Sequence, residues 1–167
     1  MSEFAVPVPS AGVEPTSSRI YTPEQRIRRD QTAWTWVQGV LAPFQFLVFL
    51  VSLALVVRFL MTGEGQEWAA GSVLLKTAVL YLIMITGAIW EKVVFGQYLF
   101  APAFFWEDVV SMGVIALHTA YLVAWMQGEA WLPVESQMVI ALAAYAAYVL
   151  NAAQFLFKLK RARSEGP

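Results

Sequence analysis

The chain has no cysteine and a single histidine. Without thiols it can hold no disulfide, no iron–sulfur cluster, no thiolate-ligated haem and no zinc–cysteine site. One histidine also excludes a multi-histidine metal site. Charge is scarce as well. Asp, Glu, Lys and Arg make up 14% of the residues, roughly half the share of an ordinary soluble domain. The net charge of −1 excludes the basic footprint of a nucleic-acid binder. Apolar residues take the space instead, at 59% of 167 residues, against about 45–50% in a typical globular domain. A soluble domain of this length could not hide that much apolar surface. The composition is that of a membrane protein.

The charges fall in blocks. Residues 31–57, 109–128 and 136–157 carry no formal charge, which gives runs of 27, 20 and 22 residues. The stretch from Ala69 to Trp90 carries one, Lys76, near its start. A membrane span needs about 20 mostly apolar residues, and lipid leaves no partner for an unpaired backbone group. The expected fold is therefore all-α: an integral membrane four-helix bundle with spans at about 36–60, 70–92, 107–126 and 134–158. Nine Lys and Arg residues fall in the N-terminal segment, at Lys92 beside the 93–106 loop, and in the C-terminal segment, against Arg58 and Lys76 on the other side, both placed near helix ends. That asymmetry puts both termini and the 93–106 loop in the cytoplasm. Residues 1–20 read as a disordered tail without the apolar core of a signal peptide. Residues 21–160 form the single transmembrane domain, and 161–167 a basic C-terminal tail.

Thr22-Pro23-Glu24-Gln25 has the pattern of a helix start. Thr22 suits the cap, Pro23 the first turn, and Gln25 the third position of a capping box. A short interfacial helix is expected there, with Trp34 and Trp36 marking the membrane surface.

Polar residues inside spans point to the bundle interior. Gln38, Gln45 and Ser52 recur every seven residues on one face, which interhelical hydrogen bonding would explain. Pro43 lies in the same span. Glu107, Ser111 and His118 share a face of the third span within about 40°. His118 reads as a magnesium ligand to a tetrapyrrole, a proton-transfer group, or a neutral side chain bonded to a neighbouring helix. Tyr145, Tyr148, Asn151 and Gln154 form a wide polar stripe on the fourth span, with Ala143, Ala144, Ala146 and Ala147 offering close approach.

Three acids gather at the cytoplasmic end. Glu91 closes the second span, and Glu107 and Asp108 open the third. The helix dipole acts on the two groups in opposite senses, which makes an acid/base pair. The alternative is that Glu107 and Asp108 are ordinary first-turn acids and that Glu91 pairs with a nearby base. Between them, residues 93–106 carry no charge and six aromatics. Such a segment packs on the bundle, sits in the headgroups or re-enters the membrane, with Gly96 and Pro102 supplying bends. With Tyr98 and Trp106 it could line a pocket for a flat apolar ligand.

Taken together these residues resemble a known family. Gly87 to Asp108, reading GAIWEKVVFGQYLFAPAFFWED, looks like the signature of the 3-vinyl (bacterio)chlorophyllide hydratases. So do Tyr21–Arg26 (YTPEQR), Ala116–Tyr121 (ALHTAY) and Leu150–Leu156 (LNAAQFL). The resemblance spans about Tyr21 to Lys160. It implies hydration of the 3-vinyl group of chlorophyllide a, or of the corresponding bacteriochlorophyllide, to a 3-(1-hydroxyethyl) group in bacteriochlorophyll biosynthesis. It implies a hydro-lyase with no cofactor beyond the magnesium already in the substrate. The partners it implies are the pigment and the lipid of an inner membrane of a phototrophic bacterium. It leaves open a homo-oligomer and association with other pigment-biosynthesis enzymes.

Hydrating a vinyl group needs a proton on the terminal carbon and water on the inner one. The cation formed at the inner carbon is conjugated to the macrocycle, which sets that regiochemistry. Glu91 is the expected acid, and Glu107 or Asp108 the group that orients and deprotonates water. Lys92, Arg28 or Arg29 could meet the pigment's propionate. His118, Tyr98, Trp106, Asn151 and Gln154 complete the expected binding residues, with His118 reaching magnesium only if the ring enters the bilayer centre. A non-catalytic pigment carrier would survive neutralising the three acids and lose pigment with His118. An assembly factor would bind no pigment.

Overall fold

The computed structural model describes residues 20–164; the expected tail over 1–20 lies outside these apart from Ile20, as does the chain after Ser164. Five helices follow one another: α1 (Pro23–Gln31), α2 (Ala33–Thr62), α3 (Gln66–Phe95), α4 (Phe105–Gln127) and α5 (Val134–Ser164). The last four are long and apolar enough to cross a membrane. At 1.5 Å per residue, the 30 residues of α2 and of α3 reach well past a hydrocarbon core of about 30 Å. The observed helices overrun the expected spans, and α5 continues through the basic residues to Ser164.

Local chemistry places the breaks. Thr22 Oγ1 accepts from Gln25 N at 3.2 Å, while Thr22 N donates to Gln25 Oε1 at 2.9 Å, so the capping box forms as its sequence suggests. Thr32 then serves two helices. Its N–H donates to the Arg28 carbonyl and closes α1, and its hydroxyl accepts from Trp34 N at 3.3 Å and opens α2. α2 runs through Pro43 without interruption. It ends where Gly63 takes φ 71° and donates to Phe59 O at 2.7 Å, a left-handed cap that glycine adopts at no steric cost.

α2 packs chiefly on α3, and α4 on α5; the two hairpins join through α2–α5 and α3–α4. All connections are short and antiparallel, so the beginning of α2, the 96–104 loop and the end of α5 lie at one end of the bundle. The core runs through Phe49, Val56, Val73, Val114, Met138 and Tyr145. Large apolar side chains such as Phe46, Leu47, Leu82 and Leu150 are exposed on the outside, while Gln45, Ser52, Lys76, Thr77, His118 and Asn151 are buried. A polar interior under an apolar surface suits lipid as solvent.

Two expectations need correction. Ala143 and Ala146 point outward; the alanines that α5 buries are Ala141 and Ala144, because its inward stripe passes through 141, 144, 145 and 148. Lys76 is not near a helix end. α3 starts at Gln66, so Lys76 lies about 15 Å inside it, and its side chain is completely buried. The stripe of Gln38, Gln45 and Ser52 does face the neighbouring helices. Gln38 Nε2 donates to Thr86 Oγ1 at 2.8 Å, and Ser52 Oγ lies 2.7 Å from Ser72 Oγ and 2.5 Å from Tyr145 OH.

Candidate functional site

The charge-free loop packs on the bundle. α3 stops at Gly96, whose φ of 88° turns the chain back while its N–H donates to Lys92 O at 3.1 Å. The loop then folds over the helix ends. Phe104 sits among Tyr21, Trp90, Phe95 and Phe155, with ring centroids between 5.6 and 6.3 Å from its own. Tyr21 stacks on Phe95 at 5.7 Å and carries the guanidinium of Arg29 at 4.8 Å. The N-terminal entry, α3, the loop and α5 thus share one aromatic cluster.

This packing brings two acids under two consecutive amides. Phe100 has φ 59°, the one non-glycine residue with positive φ among those described. A left-handed residue with a Cβ costs about 1–2 kcal/mol. The turn aims successive N–H groups the same way: Phe100 N donates to Asp108 Oδ2 at 2.7 Å, and Ala101 N donates to Glu91 Oε2 at 3.3 Å. Bonds to charged groups contribute roughly 1.5–3 kcal/mol each, enough to hold the strained turn. Glu91 and Asp108 are both buried, and their carboxyl groups are near enough to interact with each other. Two neighbouring buried carboxyls favour holding one proton between them.

Glu107 has a different partner. Its Oε2 lies 2.7 Å from Lys158 Nζ, and the same ammonium donates to Ala103 O and lies 5.1 Å from the Phe104 ring centroid. Lys158 thereby ties α5 to the start of α4 and to the loop. Sequence reasoning treated Lys158 as one more charge of the C-terminal segment. The signal was present, since Asn151, Gln154 and Lys158 follow one another at helical spacing on α5 and share a face.

The remaining candidates divide by depth. Tyr98 and Trp106 are exposed at the mouth, with Phe100 and Phe105 half-exposed between them. Phe100 meets Phe105 at 5.8 Å, and Phe105 meets Trp106 at 5.4 Å, so an aromatic rim borders the carboxyl pair. Lys92 donates to Gly96 O at 2.8 Å and stands 5.3 Å from the Tyr98 ring. Arg29 pairs with Asp30 at 2.7 Å, and Arg28 is exposed on α1. Asn151 lies below, its Nδ2 2.8 Å from Ser111 Oγ, which in turn donates to Glu107 O. Gln154 lies three residues further along α5. His118 is completely buried, with Nδ1 2.8 Å from Val114 O. It stands ten residues beyond Asp108 on the same helix, about 15 Å away along the axis.

Residues 21–161 match the family described as 2-vinyl bacteriochlorophyllide hydratase. A protein of Rhodobacter capsulatus with that name is 65% identical over 156 residues, covering 93% of this chain and 90% of its own. One of Cereibacter sphaeroides, also so named, is 65% identical over 156 residues, covering 90% of this chain and 96% of its own. No solved structure matches.

Proposed function

From the premise that this chain belongs to the 2-vinyl bacteriochlorophyllide hydratase family, we propose how its residues carry out that family's reaction. The chain is a hydro-lyase that adds water to the vinyl group of its pigment substrate in bacteriochlorophyll biosynthesis. The "2-vinyl" of the family description and the 3-vinyl of current ring numbering are the same substituent. The substrate is chlorophyllide a or the corresponding bacteriochlorophyllide, and its magnesium arrives with it.

The observation that carries the mechanism is the Glu91–Asp108 pair beneath the amides of Phe100 and Ala101. Glu91, with the longer amide bond, carries the shared proton and delivers it to the terminal vinyl carbon. The π pair of the double bond forms the new C–H bond, and the cation left on the inner carbon is spread over the macrocycle. Asp108, held by the shorter bond from Phe100, orients water toward that carbon. As the C–O bond forms, Asp108 takes the water proton, and the pair returns to one shared proton. R–CH=CH2 plus H2O becomes R–CH(OH)–CH3 with no net proton change. Glu107 holds Lys158 and takes no part in the proton transfers.

Both carboxyls are buried, so the small vinyl substituent enters while the macrocycle stays outside on the rim of Tyr98, Phe100, Phe105 and Trp106. The aromatic rim gives a flat ring its stacking surface. Lys92 and Arg28 are exposed cations at this end that can meet the propionate. His118 cannot serve the same pose. Magnesium at the centre of the macrocycle lies closer to the vinyl group than the 15 Å or so that separate His118 from Asp108 along the helix. Asn151 and Gln154 lie behind the acids and support them.

The end of the bundle that bears the loop faces the cytoplasm, with α1 along the membrane surface. Lys76 belongs to the interior, which leaves Arg58 as the one basic residue of the opposite end and strengthens the asymmetry. The membrane is the inner membrane of a phototrophic bacterium.

The test is Glu91→Gln and Asp108→Asn in membranes given chlorophyllide a, with the gain of one water read by mass spectrometry. General acid–base catalysis is worth about 10²–10⁴-fold, and each variant is expected to lose that much turnover while still binding pigment. Full activity in Glu91→Gln would remove Glu91 from the role. A non-catalytic carrier, which would bind pigment and leave it unchanged, is the outcome the wild-type assay would expose.

A further inference from the structure

Five side-chain polar atoms among the described residues are buried without a hydrogen-bond partner: Lys76 Nζ, His118 Nε2, Tyr121 OH, Asn151 Oδ1 and Gln154 Oε1. They are not scattered. Four belong to α4 and α5, which pack on each other, and the fifth, Lys76 Nζ, comes from α3. Asn151 bonds Ser111 directly beneath Glu107. Tyr148, one turn along α5, carries Lys76 Nζ at 3.7 Å from its ring centroid. Lys76 is near enough to His118, and Tyr145 to Tyr121, for each pair to interact electrostatically, and the His118 ring stands 5.9 Å from that of Tyr145.

The types of the unpartnered atoms decide what fits. Val114 O can only accept, so the His118 ring proton lies on Nδ1 and Nε2 offers a lone pair. Three acceptors therefore remain (His118 Nε2, Asn151 Oδ1, Gln154 Oε1). Against them stand two donors, the Lys76 ammonium and the Tyr121 hydroxyl. An apolar occupant would satisfy none of the five. An anion would suit the donors and meet three lone pairs; a cation would suit the acceptors and meet an ammonium. Water, with two donors and two acceptors, serves both kinds, and buried water is found where otherwise unsatisfied polar groups converge. We infer that the α4–α5 seam, from Gln154 and Asn151 down to Lys76, His118 and Tyr121, is a track of internal water in the middle of the membrane domain. At about three hydrogen bonds per buried water, about two or three molecules occupy it. The track stands on the bundle's geometry alone and does not depend on which acid hydrates the pigment.

Hydroxyl-radical footprinting by X-ray radiolysis, with the full chain in lipid nanodiscs and ¹⁸O-labelled water, reads side chains that touch water. Tyr121 and Tyr148 are expected to take up label despite their burial. Phe46, exposed to lipid halfway along α2, serves as the dry reference at membrane depth. The double variant Lys76→Met, His118→Phe removes a donor and an acceptor, and labelling of both tyrosines should fall to the Phe46 level. Lys76→Gln, which keeps a donor, should retain it. If Tyr121 and Tyr148 in the wild-type chain label no faster than Phe46, the seam is dry and the inference is overturned. That comparison needs no variant to fold. Unchanged labelling in a folded double variant would overturn it equally.

Discussion

At the scale of single residues, three acids one to seventeen positions apart in the chain meet different partners. Glu107 meets an ammonium, whereas Glu91 and Asp108 meet amides and each other. Glu107→Gln should therefore cost stability before it costs chemistry. Losing a charged hydrogen bond at a nearly buried position removes about 1.5–3 kcal/mol, visible as a lower Tm in detergent. Turnover should stay close to wild type, in contrast to Glu91→Gln. Equal loss of activity in the two variants would contradict this division of labour. The sequence named all three acids, since carboxyls at two helix ends flanking an uncharged aromatic loop form an uncommon pattern. It could not divide them, because the partner of Glu107 lies fifty-one residues away on α5. Lys76 was misplaced for a related reason. Hydropathy locates a helix to within a turn or so, and one turn decides whether a lysine snorkels or is enclosed.

At the scale of elements, the decisive piece is the loop from Gly96 to Phe104. Its hydrophobicity was legible as an anomaly, and so was its need to pack. Its backbone was not, since nothing in the string of aromatics marks Phe100 for a left-handed conformation that favours glycine. Two substitutions separate its roles. Ala101→Pro deletes the N–H that Glu91 accepts and should abolish most turnover. Phe100→Gly adopts the same backbone without strain and keeps the amide on Asp108. It removes one aromatic ring from the rim and should raise KM for pigment while leaving kcat near wild type. The reverse pattern, with kcat falling and KM unchanged, would count against the rim as the macrocycle's resting place. By contrast, α1 was readable almost residue by residue, because a capping box is local: Thr22 and Gln25 satisfy each other three positions apart.

At the scale of the whole molecule, helix count and antiparallel order follow from charge-free runs and short connections, as the sequence suggested. Which residues of each helix turn inward is decided by packing between hairpins and is not written in hydropathy. Lipid-facing and core-facing positions are both apolar here, and α2 is the extreme case, with Phe46 outside and Phe49 inside. Orientation is open to direct measurement. The chain lacks cysteine, so single substitutions Ser164→Cys and Glu64→Cys report on opposite ends without a background. Ser164→Cys should react with an impermeant maleimide only in inside-out vesicles, and Glu64→Cys only in right-side-out ones. The opposite result would invert the bundle.

Glu91 belongs to the α2–α3 hairpin and Asp108 to the α4–α5 hairpin. During synthesis the first hairpin can enter the bilayer complete in its own helices, yet it carries only one member of the proposed acid pair. Lys158, which braces the second half, is made almost last. On the proposed mechanism, a chain that ends before α4 lacks Asp108 and leaves pigment unchanged. On that mechanism catalytic competence arrives with the docking of the second hairpin, and activity in a membrane doubles as a count of chains whose hairpins have met.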